Sequence, residues 1–290
     1  MKLIITADSA LDIPEEMIEE YGIKTIPVMF DIDGELIEDG QITPEQLVEK
    51  FYTNKKFAIR TTPATMDEYY CFFTPLAYMG YHIIHLSLGS GMSDCYKNAK
   101  EAAAKFEYIH VIDTQNVTIG AVPFILKIQE LQSMCKNTEQ IAEYLQNEFY
   151  KKVHLTALLN TIDFVHIGEG NNQLKNNITS FIMNLFKKKI SLVLNREVRK
   201  DSLIADRQFN GDYEQAVMQF ITYTLSEIPD ADRKTAVIGY TSGTDESLIA
   251  DCQRAVKNIG RFEEVKTVKA SCAITSHFGY GCIILCWYDK

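Results

Sequence analysis

Concentrated positive charge is scarce in this chain. Its 29 Lys and Arg are outnumbered by 39 Asp and Glu, giving a formal net charge of −10. The densest basic stretches are Lys187-Lys188-Lys189 and the segment from Arg196 to Lys200. Binding to a polyphosphate needs a broad basic face, so no nucleic-acid partner is expected. Long apolar runs are missing too. The most apolar window, Cys282 to Trp287, has the length of a strand, whereas a membrane-crossing helix needs ~20 apolar residues. The segment Met1 to Asp8 reaches an acid too early for a signal-peptide core. The expectation is a cytoplasmic chain without integral membrane association.

Cysteine is present, with 7 residues, but the number is odd and no pair has CxxC spacing. Zinc-finger and disulfide frameworks show tighter patterns, so buried free thiols in a reducing compartment are expected. His82, His85, His110, His154 and His166 show no i, i+4 pairing on a helix and read as structural or surface residues. No G-x-G-x-x-G follows the first strand, and no G-x-S-x-G elbow surrounds Ser90. These gaps leave dinucleotide, metal and elbow-serine chemistry without a sequence signature.

What is there fits a soluble globular protein. The apolar fraction is 46% and the charged fraction 23% over 290 residues, enough for two domains. Strand-like runs at Leu3–Thr6, Ile83–Leu88 and Tyr108–Ile112 alternate with helical spacing over Glu15–Tyr21, Met66–Gly80, Asp94–Phe106 and Gly120–Met134. Ile23–Phe30 reads as one further strand. Pro14 suits a first helical position, and Thr43 with Gln46 reads as a capping box. Such alternation implies βαβ units around a mainly parallel sheet. The expected architecture is an N-terminal α/β domain over residues 1–152, with flanking helices, and a C-terminal α+β domain over residues 153–290. In the second, helix-like or strand-like pieces occur at Ile178–Phe186, Ile190–Leu194, Gly211–Leu225, Thr235–Tyr240, Val265–Val268, Ser271–Ser276 and Cys282–Tyr288.

Ligands of open α/β sheets sit beyond the carboxyl ends of the strands. Asp8-Ser9, Thr61-Thr62, Ser90–Ser93 and Asp113-Thr114 are expected there, all carrying hydroxyls. In Gly89-Ser90-Gly91-Met92-Ser93 a strand stops and a helix begins, so free N–H groups are available to an anion. The alternative is that Ser93 only caps its own helix. His277, within Ser276-His277-Phe278-Gly279-Tyr280-Gly281, is a candidate base or hydrogen-bonding group. A serine hydrolase acting on acyl esters through Ser90 or Ser93 with His277 is therefore one reading.

Several segments, in order, resemble the DegV family of bacterial fatty-acid-binding proteins. Thr6-Ala7-Asp8-Ser9-Ala10-Leu11-Asp12 is similar to its TDS-x-x-DL opening, and Asp33-Gly34 and Asp39-Gly40-Gln41-Ile42-Thr43 to its DG and DG-x-IT elements. Thr61-Thr62-Pro63-Ala64-Thr65 stands where the family has TS-x-PS, Ser87–Tyr96 resembles SSGLSGTY, and Val111–Thr114 with Gly120 resembles V-I-D-S and a later glycine. His277-Phe278-Gly279-Tyr280-Gly281 resembles H-x-GPG. The resemblance implies a DegV-like fold and a long-chain fatty acid as bound ligand, with no cofactor and no catalysis by the chain itself. Its carboxylate would be held by Thr61 or Thr62, by Ser93 in the loop with Ser90 and Gly91, and by His277, with the acyl chain in an apolar tunnel. It also implies presentation of that carboxylate to a separate fatty-acid kinase. The chain departs from the family at Gly168-Glu169-Gly170-Asn171-Asn172-Gln173, where the arginine of G-G-R-I is absent, and at Ile190–Leu194, which replaces I-K-P-I-L. Arg207 is matched to a second family arginine. A binder of another amphiphile is the further alternative.

Overall fold

The computed structural model describes residues 2–32, 34–53, 59–160, 190–197 and 202–290. The first half builds a four-stranded parallel sheet from β1 (Leu3–Asp8), β2 (Lys24–Ile26), β6 (His82–Ser87) and β7 (Ile109–Asp113), in the order β2-β1-β6-β7. The connecting helices are α1 (Glu15–Tyr21), α3 (Met66–Tyr78) and α4 (Cys95–Ala103). The carboxyl ends of β1, β6 and β7 therefore lie side by side, with Ala7 opposite Leu86 and Ser87 opposite Asp113.

Between β2 and α3 the chain makes a separate antiparallel sheet. It consists of β3 (Met29–Ile32), β4 (Glu35–Glu38) and β5 (Ile59–Thr62), with β3 in the centre. This corrects the reading of Ile23–Phe30 as one strand. Pro27 brings no N–H to a ladder, and the chain leaves one sheet before it and enters another after it. Thr61-Thr62 thus lies in a strand of the small sheet, opposite Phe30 and Met29, and not at the edge of the parallel sheet. The expected capping box of α2 (Pro44–Thr53) is present: Gln46 N–H donates to Thr43 Oγ1 at 3.2 Å, and Thr43 N–H donates to Gln46 Oε1 at 2.9 Å. Pro14 lies one place earlier than expected, at the N-cap of α1.

After β7 a 3-10 turn at Thr118–Ala121 leads into α5 (Val122–Ser133) and α6 (Thr138–Asn147). The second sheet has six strands in the order β10-β9-β8-β13-β11-β12. They are β8 (Val153–Leu159), β9 (Ile190–Glu197), β10 (Ser202–Asn210), β11 (Thr235–Tyr240), β12 (Glu264–Lys269) and β13 (Ile283–Tyr288). Among the described residues, this half also carries helices α7 (Tyr213–Leu225), α8 (Glu246–Gly260) and α9 (Cys272–Phe278). Ser271–Ser276 belongs mainly to α9. The readings at His166, Gly168–Gln173 and Ile178–Phe186 lie outside the described residues.

Strand alternation gives this sheet two apolar faces. Leu155, Ala157, Leu159, Leu192, Leu194, Val237, Ile284 and Cys286 join the core of the first half. Leu158, Val193, Ala236, Ile238, Ile283, Leu285 and Trp287 form a second core with α7 and α8. Both halves therefore share one continuous apolar interior. Five cysteines, at 95, 252, 272, 282 and 286, are buried free thiols, while Cys71 and Cys135 are exposed. Among the described residues no helix is long and apolar enough to cross a membrane.

At Gly239 of β11 the sheet packs tightly against the 3-10 turn at Ile119. A Cβ there would lie 3.2 Å from Ile119 Cγ2 and 3.3 Å from Ile284 Cβ, tighter than ordinary contact. Gly239→Ala is expected to destabilise the chain by about 1–3 kcal/mol through overpacking, read from urea unfolding. An unchanged midpoint would mean that Ile119 yields freely.

Candidate functional site

Two of the sequence-selected residues meet across 216 positions of sequence. Thr61 Oγ1 and His277 Nε2 are 2.9 Å apart. Period-two alternation in β5 turns Thr61 and Thr62 to opposite faces. Thr61 is half-buried against His277, while Thr62 is exposed.

His277 sits at the end of α9, which is fixed at both ends. Ser271 Oγ accepts the Ile274 N–H at 3.4 Å, and the Cys272 thiol donates to the Ile42 carbonyl at 2.9 Å. After the helix, Gly279 and Gly281 take positive φ values of 81° and 72°, which glycine tolerates without a Cβ clash. Thr241 Oγ1 donates to the Gly279 carbonyl at 2.6 Å and accepts the Cys282 N–H at 2.7 Å. Burial pushes the His277 pKa down to about 4, so at neutral pH the imidazole is uncharged. One nitrogen then donates and the other accepts, and either sense serves the Thr61 contact.

Ser93 lies at the entrance of α4, one residue before the cap position. Its Oγ accepts the Cys95 N–H at 3.2 Å and lies 3.1 Å from Cys95 Sγ. Ser93 is thus not the helix cap, which is Asp94 without a side-chain cap bond; its hydroxyl instead closes a short turn onto Cys95. Asn98 Nδ2, one turn along α4, donates to the Ala64 carbonyl at 2.8 Å. That bond ties the helix carrying Ser93 to the segment that follows Thr61 and Thr62. Ser90 is exposed and engaged elsewhere: its N–H and Oγ both donate to Asp113, at 3.1 and 2.6 Å. Gly91 is half-buried between the two serines. His277 has Thr61 rather than a serine as its hydrogen-bonding neighbour, so the Ser–His contact of a hydrolase gains no support.

Sequence reasoning passed over a buried polar network directly behind this loop. Asp8 accepts from Tyr69 OH at 2.5 Å, Ser87 Oγ at 2.9 Å and Leu88 N–H at 2.8 Å, and lies 3.2 Å from His85 Nε2. Thr6 Oγ1 lies 2.9 Å from His85 Nδ1. Burial alone would raise the Asp8 pKa, but the His85 bond and charge, the Tyr69 hydroxyl and the Leu88 N–H hold it below the usual range. The carboxylate therefore stays ionised and pins the start of the Gly89–Ser93 loop. The available signal was the run of hydroxyl and acidic residues in Thr6-Ala7-Asp8-Ser9. Thr275 Oγ1, on α9, is buried without a hydrogen-bond partner among the described residues. Among those residues no group of three His, Cys, Asp or Glu could hold a metal ion.

The uncharged state of His277 has a consequence for acid stability. Its folded pKa lies below the usual value of ~6.5, so it contributes stability that is present above that value and lost as pH falls towards 4. His277→Gln is expected to flatten this part of the acid limb in thermal unfolding. An unaltered limb would show that the histidine titrates as if exposed.

Known proteins share this arrangement of sheets. A DegV-family protein from Thermus thermophilus, whose structure is described as showing fatty acid binding, superposes with a TM-score of 0.83 at 19% identity, covering 100% of both chains. A stearic acid-binding protein from Eubacterium ventriosum superposes with a TM-score of 0.83 at 18% identity, covering 99% of this chain and 98% of that one. By sequence, a protein of Thermotoga maritima named as fatty acid-binding is 23% identical over 290 residues, 98% of this chain and 96% of its own length. The family model described as "Uncharacterised protein, DegV family" matches residues 2–290. With the match running through both halves and all three of the sheets described, this chain belongs to the DegV family.

Proposed function

We propose that this chain binds a long-chain fatty acid, with the carboxylate received where Thr61 meets His277 and with Ser93 completing the donor set from the start of α4. The observation that carries the reading is the Thr61–His277 contact at 2.9 Å, formed by an uncharged imidazole beside a hydroxyl. A carboxylate withdrawn from water needs hydrogen-bond donors, and hydroxyls with a neutral imidazole supply them without a full positive charge. Thr61 is preferred to Thr62 because it faces the histidine. Gly91 lets backbone come close to the ligand, and Ser90 braces the loop through Asp113 rather than touching the ligand. The unpartnered Thr275 hydroxyl on the histidine helix supports a polar ligand group nearby.

The acyl chain would enter an apolar tunnel in the interior that the two halves share. Burying ~16 carbons gains on the order of 0.8 kcal/mol per CH₂, or about 12 kcal/mol gross. Association and ordering remove a large part of this, leaving affinity enough for a carrier without covalent chemistry. The relatives described as binding fatty acids, stearic acid among them, support the same ligand class. No cofactor enters this reading, and the chain performs no reaction of its own. The family resemblance extends it to presentation of the carboxylate to a separate ATP-binding kinase in the cytoplasm. The missing arginine of Gly168–Gln173 falls on that extension and not on binding.

Native mass spectrometry of the purified protein, followed by lipid extraction, is expected to find about one equivalent of fatty acid. His277→Ala and Thr61→Ala are each expected to weaken palmitate binding about tenfold by calorimetry, the scale of one hydrogen bond to a charged group. Ser93→Ala is expected to weaken it less, because its hydroxyl is shared with Cys95. Wild-type affinity in both the His277 and Thr61 variants would remove the carboxylate from this site. Ester turnover abolished by Ser93→Ala would instead make the chain a hydrolase.

A further inference from the structure

Asp12 of the opening motif and Asp39 take no part in the ligand site, yet both converge on the helix that carries His277. Asp12, in the loop after β1, accepts the Ser271 N–H at 2.9 Å through Oδ1 and the Thr118 hydroxyl at 2.6 Å through Oδ2. Asp39, after β4, accepts the Ser9 hydroxyl at 2.9 Å and the Ala273 N–H. The Ile42 carbonyl takes the Cys272 thiol proton. Three consecutive residues, Ser271, Cys272 and Ala273, are therefore each hydrogen-bonded to the first half of the chain.

We propose that Asp12 is a positioning residue for His277, holding the start of α9 against the first half so that the imidazole at its other end reaches Thr61. This deepens the fatty-acid reading and rests on it for its effect on ligand affinity. From Ser271 to His277 the helix advances only about 9 Å, so a displacement at its start is carried to the imidazole almost rigidly. Asp39 acts in parallel on the next turn position. Thr118 is held for its part in an unusual backbone, with φ of 50°, by its N–H bond to the Ala10 carbonyl at 3.0 Å. The tie thus joins β1, the 3-10 turn and α9 at a single carboxyl group.

That carboxyl group is also sensitive to pH. Burial raises the Asp12 pKa to about 7, against the hydrogen bonds from Thr118 and Ser271, with nearby Asp39 adding to the rise. Asp39 is itself raised by burial, and the Cys272 thiol is pushed up to about 12 by burial and by Asp39, Glu45 and Asp12, with Lys269 opposing. Glu45 is held at about 2 by Lys269 and Ser242, so it keeps its charge through neutrality. Because the folded Asp12 pKa lies above the ordinary 3.8, its protonated form contributes stability that is full below that value and lost as pH rises through 7. Protonated, Asp12 donates to Thr118 and still accepts from Ser271. Asp12→Asn copies that state at every pH.

The test compares Asp12→Ala, Asp12→Asn and wild type by the imidazole resonances of His277 in ligand-free protein labelled at histidine, by palmitate affinity, and by thermal unfolding from about pH 4 to about pH 8. Asp12→Ala is expected to move the His277 resonances and weaken palmitate binding about tenfold. Asp12→Asn is expected to preserve both and to lack the Asp12 contribution, so that wild type loses unfolding temperature relative to it as pH rises from about 4 to about 7. Unmoved His277 resonances in Asp12→Ala would overturn the proposal, whatever happens to overall stability. If that variant does not fold, Thr118→Val decides by the same resonances, since it removes a single hydroxyl donor. Failure of wild type to bind palmitate would overturn the fatty-acid reading alone, because the resonances report the tie without any ligand.

Discussion

A carboxylate taken out of water must find its donors within the fold, and much of this structure is arranged by that requirement. Asp8 and Asp12 both stand in the first β-strand and the loop that follows, and both are buried. Neither can be satisfied by its own segment. Asp8 draws donors from α3, β6 and the residue after it, while Asp12 draws them from the 3-10 turn and α9. Leaving either group unmet would cost more than the net gain of an ordinary hydrogen bond. The positions of loops far apart in sequence are thereby coupled to two side chains near its start.

The same requirement separates the roles of the two histidines nearest the site. His85 is enclosed with an acid and packs edge-on to Tyr69 and Phe73, a setting that holds it in place. His277 has a hydroxyl for a neighbour and, among the described residues, no acid in its hydrogen bonds. Burial therefore lowers its pKa with nothing opposing. A ligand carboxylate arriving there would supply the missing partner. The buried Asp8–His85 contact lies behind the Gly89–Ser93 loop, and the uncharged His277 faces Thr61 on the other side.

What could be read from the sequence was local, and what could not was long-range. The capping box at Thr43 and Gln46 and the strand at Ile83–Leu88 follow from residue pattern alone, as does the helix starting at Met66. Asn137 and Gln140 form a second capping box that opens α6, and that signal was present but unused. The small sheet was illegible because its strands, four residues each, are too short for alternation to stand out, and only Pro27 hinted at the break. Thr61 and His277 were each nominated by motif, yet the choice between Thr61 and Thr62 depended on which face of β5 turns inward. That is set by pairing with β3, which no short-range pattern encodes. The roles of Asp12 and Asp39 are hidden for the same reason: their partners at the histidine helix are backbone N–H groups, which have no residue identity to recognise.

The strand order of the larger sheet bears on how the chain matures. β13, the last strand in sequence, lies in the interior between β8 and β11. Until residues 283–288 have emerged during synthesis, those two neighbours each present an open edge, and the apolar faces they carry lack a backing. Exposed edges of this kind invite pairing with other chains. The second sheet therefore stands as two incomplete pieces from the end of β12 until β13 is made, and the strand that seals them follows directly on the helix that carries His277. Sheet closure and the arrival of His277 are thus nearly one event in time.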